Sequence, residues 1–359
     1  MVLNAIKALK ANKLKTSLIY LSLCFSIIAI FCITAISNGI ISMYSSMLKS
    51  DGDIIVTQAK ISDTFFSNVD IKLVDQIEKI QGVKKVSALI VGASPVEELP
   101  IVAIYGNSKN RIINYKLVNG SYPQINQVIV GKSIFEQLDN KNQIMIADKT
   151  FKISGVYESD LGFENGGVMM NLSDAGDIFN KSASMFLINI DISSDMEAIV
   201  KKINQLSNKI EAKSTNSFID NYNQFKIINN SSYAISFIAL VMGLLSIASI
   251  MSITINERKD EFGIMKALGI SSTKIISSLM IESGIIGVVS YLSALVLSHS
   301  ILYIIENSSL FQGYINGQID VSLAIGVFFA TIFMSFLGAF IPSYSASKTD
   351  PITLIQRGN

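Results

Sequence analysis

Four stretches of this chain, residues 16–48, 227–256, 283–305 and 321–347, contain no Asp, Glu, Lys or Arg. Each exceeds the ~20 residues that a helix needs to cross ~30 Å of hydrocarbon, where only a helix or a closed barrel satisfies every backbone hydrogen bond internally. Four transmembrane helices are therefore expected. The first run follows Lys7, Lys10, Lys13 and Lys15, as a secretory leader would. Its apolar core is too long for a leader and no small-x-small cleavage site follows, so a retained helix is expected.

Positive charge beside a span resists translocation, so Lys and Arg mark the cytoplasmic side. The N-terminal tail has four Lys, residues 256–274 hold Arg258, Lys259, Lys266 and Lys274, and the C-terminal tail holds Lys348 and Arg357. The link 306–320 carries Glu306 and Asp320 and no base. Both termini and segment 257–274 are expected in the cytoplasm of a bacterial cell, with residues 49–226 and 306–320 outside the inner membrane. As a single helix, residues 16–48 would measure ~50 Å at 1.5 Å per residue, so its last turns are expected to form a stalk.

The division that follows is 1–48 (tail, first span and stalk), 49–226 (extracytoplasmic domain), 227–256, 257–274 (cytoplasmic segment), 275–305, 306–320, 321–347 and 348–359. Cys24 and Cys32 both lie in the first apolar run and cannot frame a disulfide scaffold. A single histidine, His299, leaves little scope for zinc or histidine-base chemistry, and no metal site is expected. A net charge of +1, with no basic face interleaved with aromatics, gives no reason to expect nucleic acid.

In the outer segment, "DGDIIVTQ", "NVDIKLVDQIEKIQG" and "VKKVSALIV" read as strand, helix and strand, the helix placing Ile71, Val74, Ile77 and Ile80 on one face. "SMFLINIDI", "SDMEAIVKKINQLSN" and "KIEAKS" repeat that order, with Ile199, Ile203 and Leu206 facing inward. Two β-α-β units around an insertion predict a split, ferredoxin-like α+β module, porter-like, whose halves complete one sheet. The insertion, about residues 94–170, reads as a mostly β lobe, including a hairpin over "QIMIADKTFKISGVYES".

Gly131-Lys132-Ser133 follows a strand as a phosphate loop would, but GxxxxGK[ST] needs a glycine where Asn126 stands. Nucleotide binding is not expected. Glu97-Glu98 reads as a solvated turn, and Met169-Met170 as a strand pair with one side chain in the core. With no catalytic constellation, this chain is expected to be no enzyme and to bind no cofactor itself.

The charge-dense stretch "NERKDEFGIMKALGISSTK" lies between the second and third spans. Asn256 can cap a helix, Glu257, Asp260 and Glu261 favour its positive end, and Gly269 can stop it in the left-handed conformation. Phe262, Met265 and Leu268 form an apolar edge. Glu282, near the inner end of the third span, is an acid in a costly place, for which Lys274 is a candidate partner.

This stretch resembles the signature "ERxxEIGxxxALGxS" of MacB/FtsX-like ATP-binding-cassette permeases. Glu257, Arg258, Glu261, Gly263, Ala267, Leu268, Gly269 and Ser271 fit it, and Phe262 replaces an aliphatic residue. Pro342, Ala346, Asp350 and Pro351 resemble the family's "PxxxAxxxDPxxxL" ending, with Leu354 one residue before its last position. The resemblance implies a dimer, with itself or a related permease subunit, in which a separate cytoplasmic ATPase holds ATP and Mg. It implies that 256–269 contains the coupling helix, with Phe262, Met265 and Leu268 docking and Glu257, Arg258 and Glu261 pairing at the rim. It further implies export or extraction of an amphiphile (lipoprotein, haem, peptide or drug), with a periplasmic adaptor or carrier as a partner in some branches. The alternatives are an FtsX-like signalling subunit that activates a cell-wall hydrolase, and an accessory permease of metal uptake.

Overall fold

The computed structural model describes residues 2–11, 13–113, 115–159, 162–308 and 317–347. These fall into two compact units, one containing residues up to Ser37, Asn230–Ile304 and the chain from Gly317 on, the other containing Asn38–Asn229. Among the described residues, four helices are long and apolar enough to cross a membrane: Lys13–Asp51, Asn223–Glu257, Ser272–Glu306 and Val321–Ser345. The fourth helix continues to Ser347, with Pro342 inside it. A short helix, Val2–Ala11, precedes the first long one, a feature that counting charges in the tail did not resolve.

The membrane unit buries one seam from each long helix: Leu23, Ile27 and Phe31, then Ile247 and Met251, then Leu279, Ile286 and Ala294, then Met334 and Ala339. Lipid is as apolar as Leu, so close packing and internal hydrogen bonds must hold such helices together. A Cβ on Gly338 would stand 2.8 Å from the Ile247 side chain and 3.0 Å from the Leu244 carbonyl oxygen; one on Gly287 would stand 2.3 Å from Ser335 Oγ. Ser283 Oγ donates to the Ser335 carbonyl at 2.7 Å, and Tyr291 OH to that of Ala324 at 3.0 Å. Cys24 is buried, its thiol near the Ser290 carbonyl at 3.5 Å, while Cys32 is half-buried.

The outer unit is built on ten strands: β1 (Ile54–Gln58), β2 (Val83–Val96), β3 (Leu99–Asn107), β4 (Lys116–Gly120), β5 (Gln127–Gly131), β6 (Gln143–Ile146), β7 (Lys149–Glu158), β8 (Gly167–Asn171), β9 (Met185–Ile190) and β10 (Ile210–Ser214). They form one sheet in the order β10-β1-β9-β2-β3-β8-β5-β7-β4, with β6 bridging β2 and β7. The first four, all antiparallel, complete the split ferredoxin-like arrangement. The inserted lobe is continuous with it, because β2 runs on to Val96 and pairs with β3 from Leu89↔Asn107 onward. At the β6–β7 hairpin, Ala147 and Asp148 both take positive φ, as a two-residue turn requires.

Both faces of this sheet are covered over its central strands. Ile54, Val56, Phe186 and Ile188 pack on one side with Ile199 and Ile203 of helix Met196–Leu206; Ile55, Leu89 and Leu187 pack on the other with Met47, Leu48 and Phe218. The packing on these faces corrects two sequence readings. Met169 and Met170 are both fully buried, on opposite faces, rather than one of the pair. Leu206, on the last turn of its helix, is 36% exposed and does not complete the inward face. The stretch 68–82, expected to be a helix, holds a 3₁₀ turn, Ile71–Leu73, followed by one α turn, Val74–Ile77, and of Ile71, Val74, Ile77 and Ile80 only Ile77 is fully buried.

Gly131 has a steric reason to be glycine: a Cβ there would lie 2.1 Å from the Asn165 carbonyl oxygen. Glu97, at positive φ in the β2–β3 turn, accepts from Lys141 Nζ and from the Met145 amide, both at 2.8 Å.

The end of the first long helix is tied into this unit by a buried charge cluster. Arg111, 1% exposed, donates from Nη2 to Asp51 at 2.6 Å and to Glu164 at 3.2 Å, and from Nη1 to Asn107. Tyr115 OH donates to Glu164 at 2.7 Å. Burial works against the Arg111 charge, but the neighbouring Tyr115, Asp51 and Glu164 outweigh it, so the guanidinium pKa rises and the charge persists.

Candidate coupling site

The second long helix runs through Asn256 to Glu257, so Asn256 does not cap the helix that follows. The break falls at Arg258 (φ −97°, ψ 12°), and helix Lys259–Ala267 follows it. Hydrogen bonds cross the break at helical spacing, from Arg258 N–H to the Thr254 carbonyl and from Phe262 N–H to that of Arg258, each 3.1 Å. The segment is thus a kinked continuation of the span. It ends at Gly269 (φ +82°), where the Gly269 amide donates to the Lys266 carbonyl at 2.9 Å and the Ile270 amide to that of Met265 at 3.0 Å. This pair of bonds is a Schellman stop.

Charges within the unit fix the kink. Glu257 pairs with Lys15. The Arg258 guanidinium lies 3.0 Å from Glu261, 3.1 Å from Glu282 and 5.2 Å from the centre of the Phe262 ring. Glu282 is 5% exposed, and its partner is Arg258 rather than Lys274. Removing one member of such a buried pair strands the other, at a cost of about 3–5 kcal/mol.

The apolar edge differs from the expected one. Phe262 is 6% exposed and belongs to the unit's own core, with Met265 packed against that core. Gly263 is buried as well. The outward apolar residues are Leu268, 77% exposed, and Ile264, 57% exposed, beside exposed Ala267. Ile264 and Leu268 are four residues apart and so share a helix face, a spacing that sequence alone could have revealed. Exposed Asp260 and Glu261 precede them. What the segment offers outward is therefore an acidic turn followed by an apolar one, on a backbone held from behind by Arg258, Glu282 and Phe262.

Of the C-terminal motif, Pro342 is half-buried within the fourth helix and Ala346 lies in its last turn. Asp350, Pro351 and Leu354 lie outside the described residues.

Two family models match the chain: the MacB-like periplasmic core domain over residues 16–206 and the FtsX-like permease C-terminal domain over residues 233–351. Among curated proteins, an ABC transporter permease of Methanocaldococcus jannaschii described as uncharacterized (MJ1507) is 24% identical over 226 residues, covering 59% of this chain and 56% of its own length. The macrolide export ATP-binding/permease protein MacB of Wolinella succinogenes is 21% identical, over 98% of this chain and 60% of the relative. The chain spans about half the length of the curated relatives it matches first, 56% and 54%. A crystal structure of the periplasmic region of MacB from Actinobacillus actinomycetemcomitans aligns with 47% of this chain and 92% of its own at 10% identity, with a TM-score of 0.39.

Proposed function

This chain belongs to the MacB/FtsX-like family of ABC-transporter permeases, and from that premise we propose that it is the membrane lever of an ATP-driven exporter. Its span-linked helix Lys259–Ala267 docks on a cytoplasmic ATPase, which supplies ATP hydrolysis and Mg. Nucleotide-driven closure of paired ATPases draws two such helices together, and the long helices carry that displacement to the extracytoplasmic domains as a rigid-body motion. The permease sits in a bacterial cytoplasmic membrane, both termini inside, paired with itself or a related permease. The cargo is an amphiphile.

The observation that carries this reading is the division of labour within one short helix. Phe262, Met265 and Arg258 face the permease core, whereas Asp260, Glu261, Ile264 and Leu268 face outward. A helix that served only to turn the chain would not need two exposed apolar side chains beside a rigid, ion-paired base. The acids complement a basic rim and favour register, and the apolar pair supplies contact. Phe262 and Met265 are thereby withdrawn from the docking set and Ile264 added.

Co-purification tests this assignment. Ile264→Asp and Leu268→Asp are expected to reduce ATPase capture at least tenfold while leaving membrane insertion and thermal stability at the wild-type level. Wild-type capture by both variants would refute the contact. A signalling role is separated by ATPase stimulation: an exporter responds to amphiphiles, whereas stimulation by a cell-wall hydrolase alone would replace export with signalling.

A further inference from the structure

We infer that the outer unit holds a binding pocket for an organic cation, an aromatic or alkyl ammonium group. The inference rests on the exporter reading and narrows its cargo to amphiphiles with a positively charged head. The pocket, open on one side, has a volume of about 260 Å³ and is lined by Ile40, Met43 and Tyr44, by Asp63 and Phe65, and by Tyr222, Gln224 and Phe225. The last turns of the first long helix, the 3₁₀ loop at Thr64–Phe66 and the start of the second long helix thus contribute to one cavity within Asn38–Asn229.

Four of these residues are aromatic, and the rings of three of them, Tyr44, Tyr222 and Phe225, form one cluster. Tyr44 and Tyr222 stack at 6.0 Å between centroids, and Phe225 meets Tyr44 edge-on at 5.7 Å and Tyr222 at 5.0 Å. The phenol hydroxyls are engaged at one end: Tyr44 OH with Thr64 Oγ1 at 2.9 Å, and Tyr222 OH donating to Asp63 Oδ1 at 3.1 Å. Tyr222 is stacked by Phe218 at 5.1 Å as well as by Tyr44, so the π systems left to attract a guest cation are those of Tyr44, Phe65 and Phe225.

Asp63 supplies the charge. Its Oδ1 accepts from the Phe65 amide at 2.8 Å and from Tyr222, and its Oδ2 accepts from Gln224 Nε2 at 3.0 Å. Two carboxylate oxygens have about four acceptor positions, so three donors fix the group without exhausting it. No lining residue is basic. Lys181, the adjacent cation, donates to the Phe65 carbonyl rather than to Asp63; burial lowers its pKa, opposed by the charge of Asp63. A fixed carboxylate beside clustered aromatic rings in an apolar cavity recognises a poorly hydrated cation with an apolar body, and discriminates against an anion or a neutral molecule of equal size.

The test uses the full-length permease in neutral-lipid nanodiscs, with empty discs as blank, and equilibrium dialysis of phenyltrimethylammonium against its uncharged isostere tert-butylbenzene. Saturable binding of the cation is expected, at least tenfold tighter than any saturable binding of the isostere. Asp63→Asn, which keeps an acceptor oxygen for Phe65 and Tyr222, is expected to lower cation affinity at least tenfold. Phe65→Ala, at a ring 40% exposed and so dispensable for folding, is expected to lower it severalfold. Equal binding of the two probes would overturn the proposal, as would no saturable cation binding, or wild-type affinity in both variants. No ATPase is present in the assay, so its failure leaves the docking assignment standing, and loss of docking leaves this result unaffected.

Discussion

At the scale of single residues, the account stands on charges removed from water with their partners. Arg111→Met would leave Asp51 and Glu164 facing each other with their counter-charge gone, at an expected cost of about 3–5 kcal/mol. Adding Asp51→Asn and Glu164→Gln to that variant should recover most of the loss, because no unpaired charge then remains buried. Thermal unfolding of the purified permease, followed by near-UV circular dichroism of its tyrosines in a chain without tryptophan, reads both effects. Asp174 adds a pH dependence of known sign. Burial raises its carboxyl pKa, opposed by the hydrogen bond from the Asn126 amide. Its stabilising contribution is therefore full below the ordinary carboxylate pKa and is lost as pH rises through the raised, folded-state value. Asp174→Asn should abolish that decline and leave the permease at least as stable as wild type at pH 7; a steeper decline in the variant would contradict this.

At the scale of elements, the Schellman stop at Gly269 aims the short helix. Nothing lies within 4 Å of the Cβ position there, so Gly269→Ala meets only the cost of a left-handed backbone, about 1–2 kcal/mol. Gly269→Asn should be milder, since Asn tolerates that conformation. ATPase capture is expected to weaken in the order Gly, Asn, Ala, and a flat series would show that the stop does not orient the docking surface. Among the spans, Gly338→Leu should destabilise the helix bundle, because its Cβ would collide with Ile247; protease resistance of residues 54–214 should persist. The elements also show what a sequence can disclose. Charge-free runs longer than a bilayer announce helices whatever their neighbours, and the strands of the split module were legible from the "DIIVTQ" and "MFLINI" runs. Covered sheet faces were not, because alternation vanishes when both sides are buried, as at Met169 and Met170. The outward apolar edge was misread at Phe262 and Met265 because apolar spacing marks a stripe without saying whether it turns inward or outward. The partners Lys15 and Glu282 lie far away along the chain, and only packing brings them to Glu257 and Arg258.

At the scale of the whole molecule, one chain places the short helix Lys259–Ala267 after its second span and an α+β domain between its first two. The central claim is that the docking helix lies in the cytoplasm, where a motor can grip it. Replacing Cys24 and Cys32 with serine and adding a single cysteine at Leu268 gives a reporter at an exposed position; Ile101, 72% exposed on β3, gives the control for the opposite side. Labelling with a membrane-impermeant maleimide in intact cells and in inside-out vesicles decides the matter. The account predicts that position 268 reacts only in inside-out vesicles, and less so when the ATPase is bound, while position 101 reacts only in intact cells. Reaction of position 268 in intact cells would contradict it.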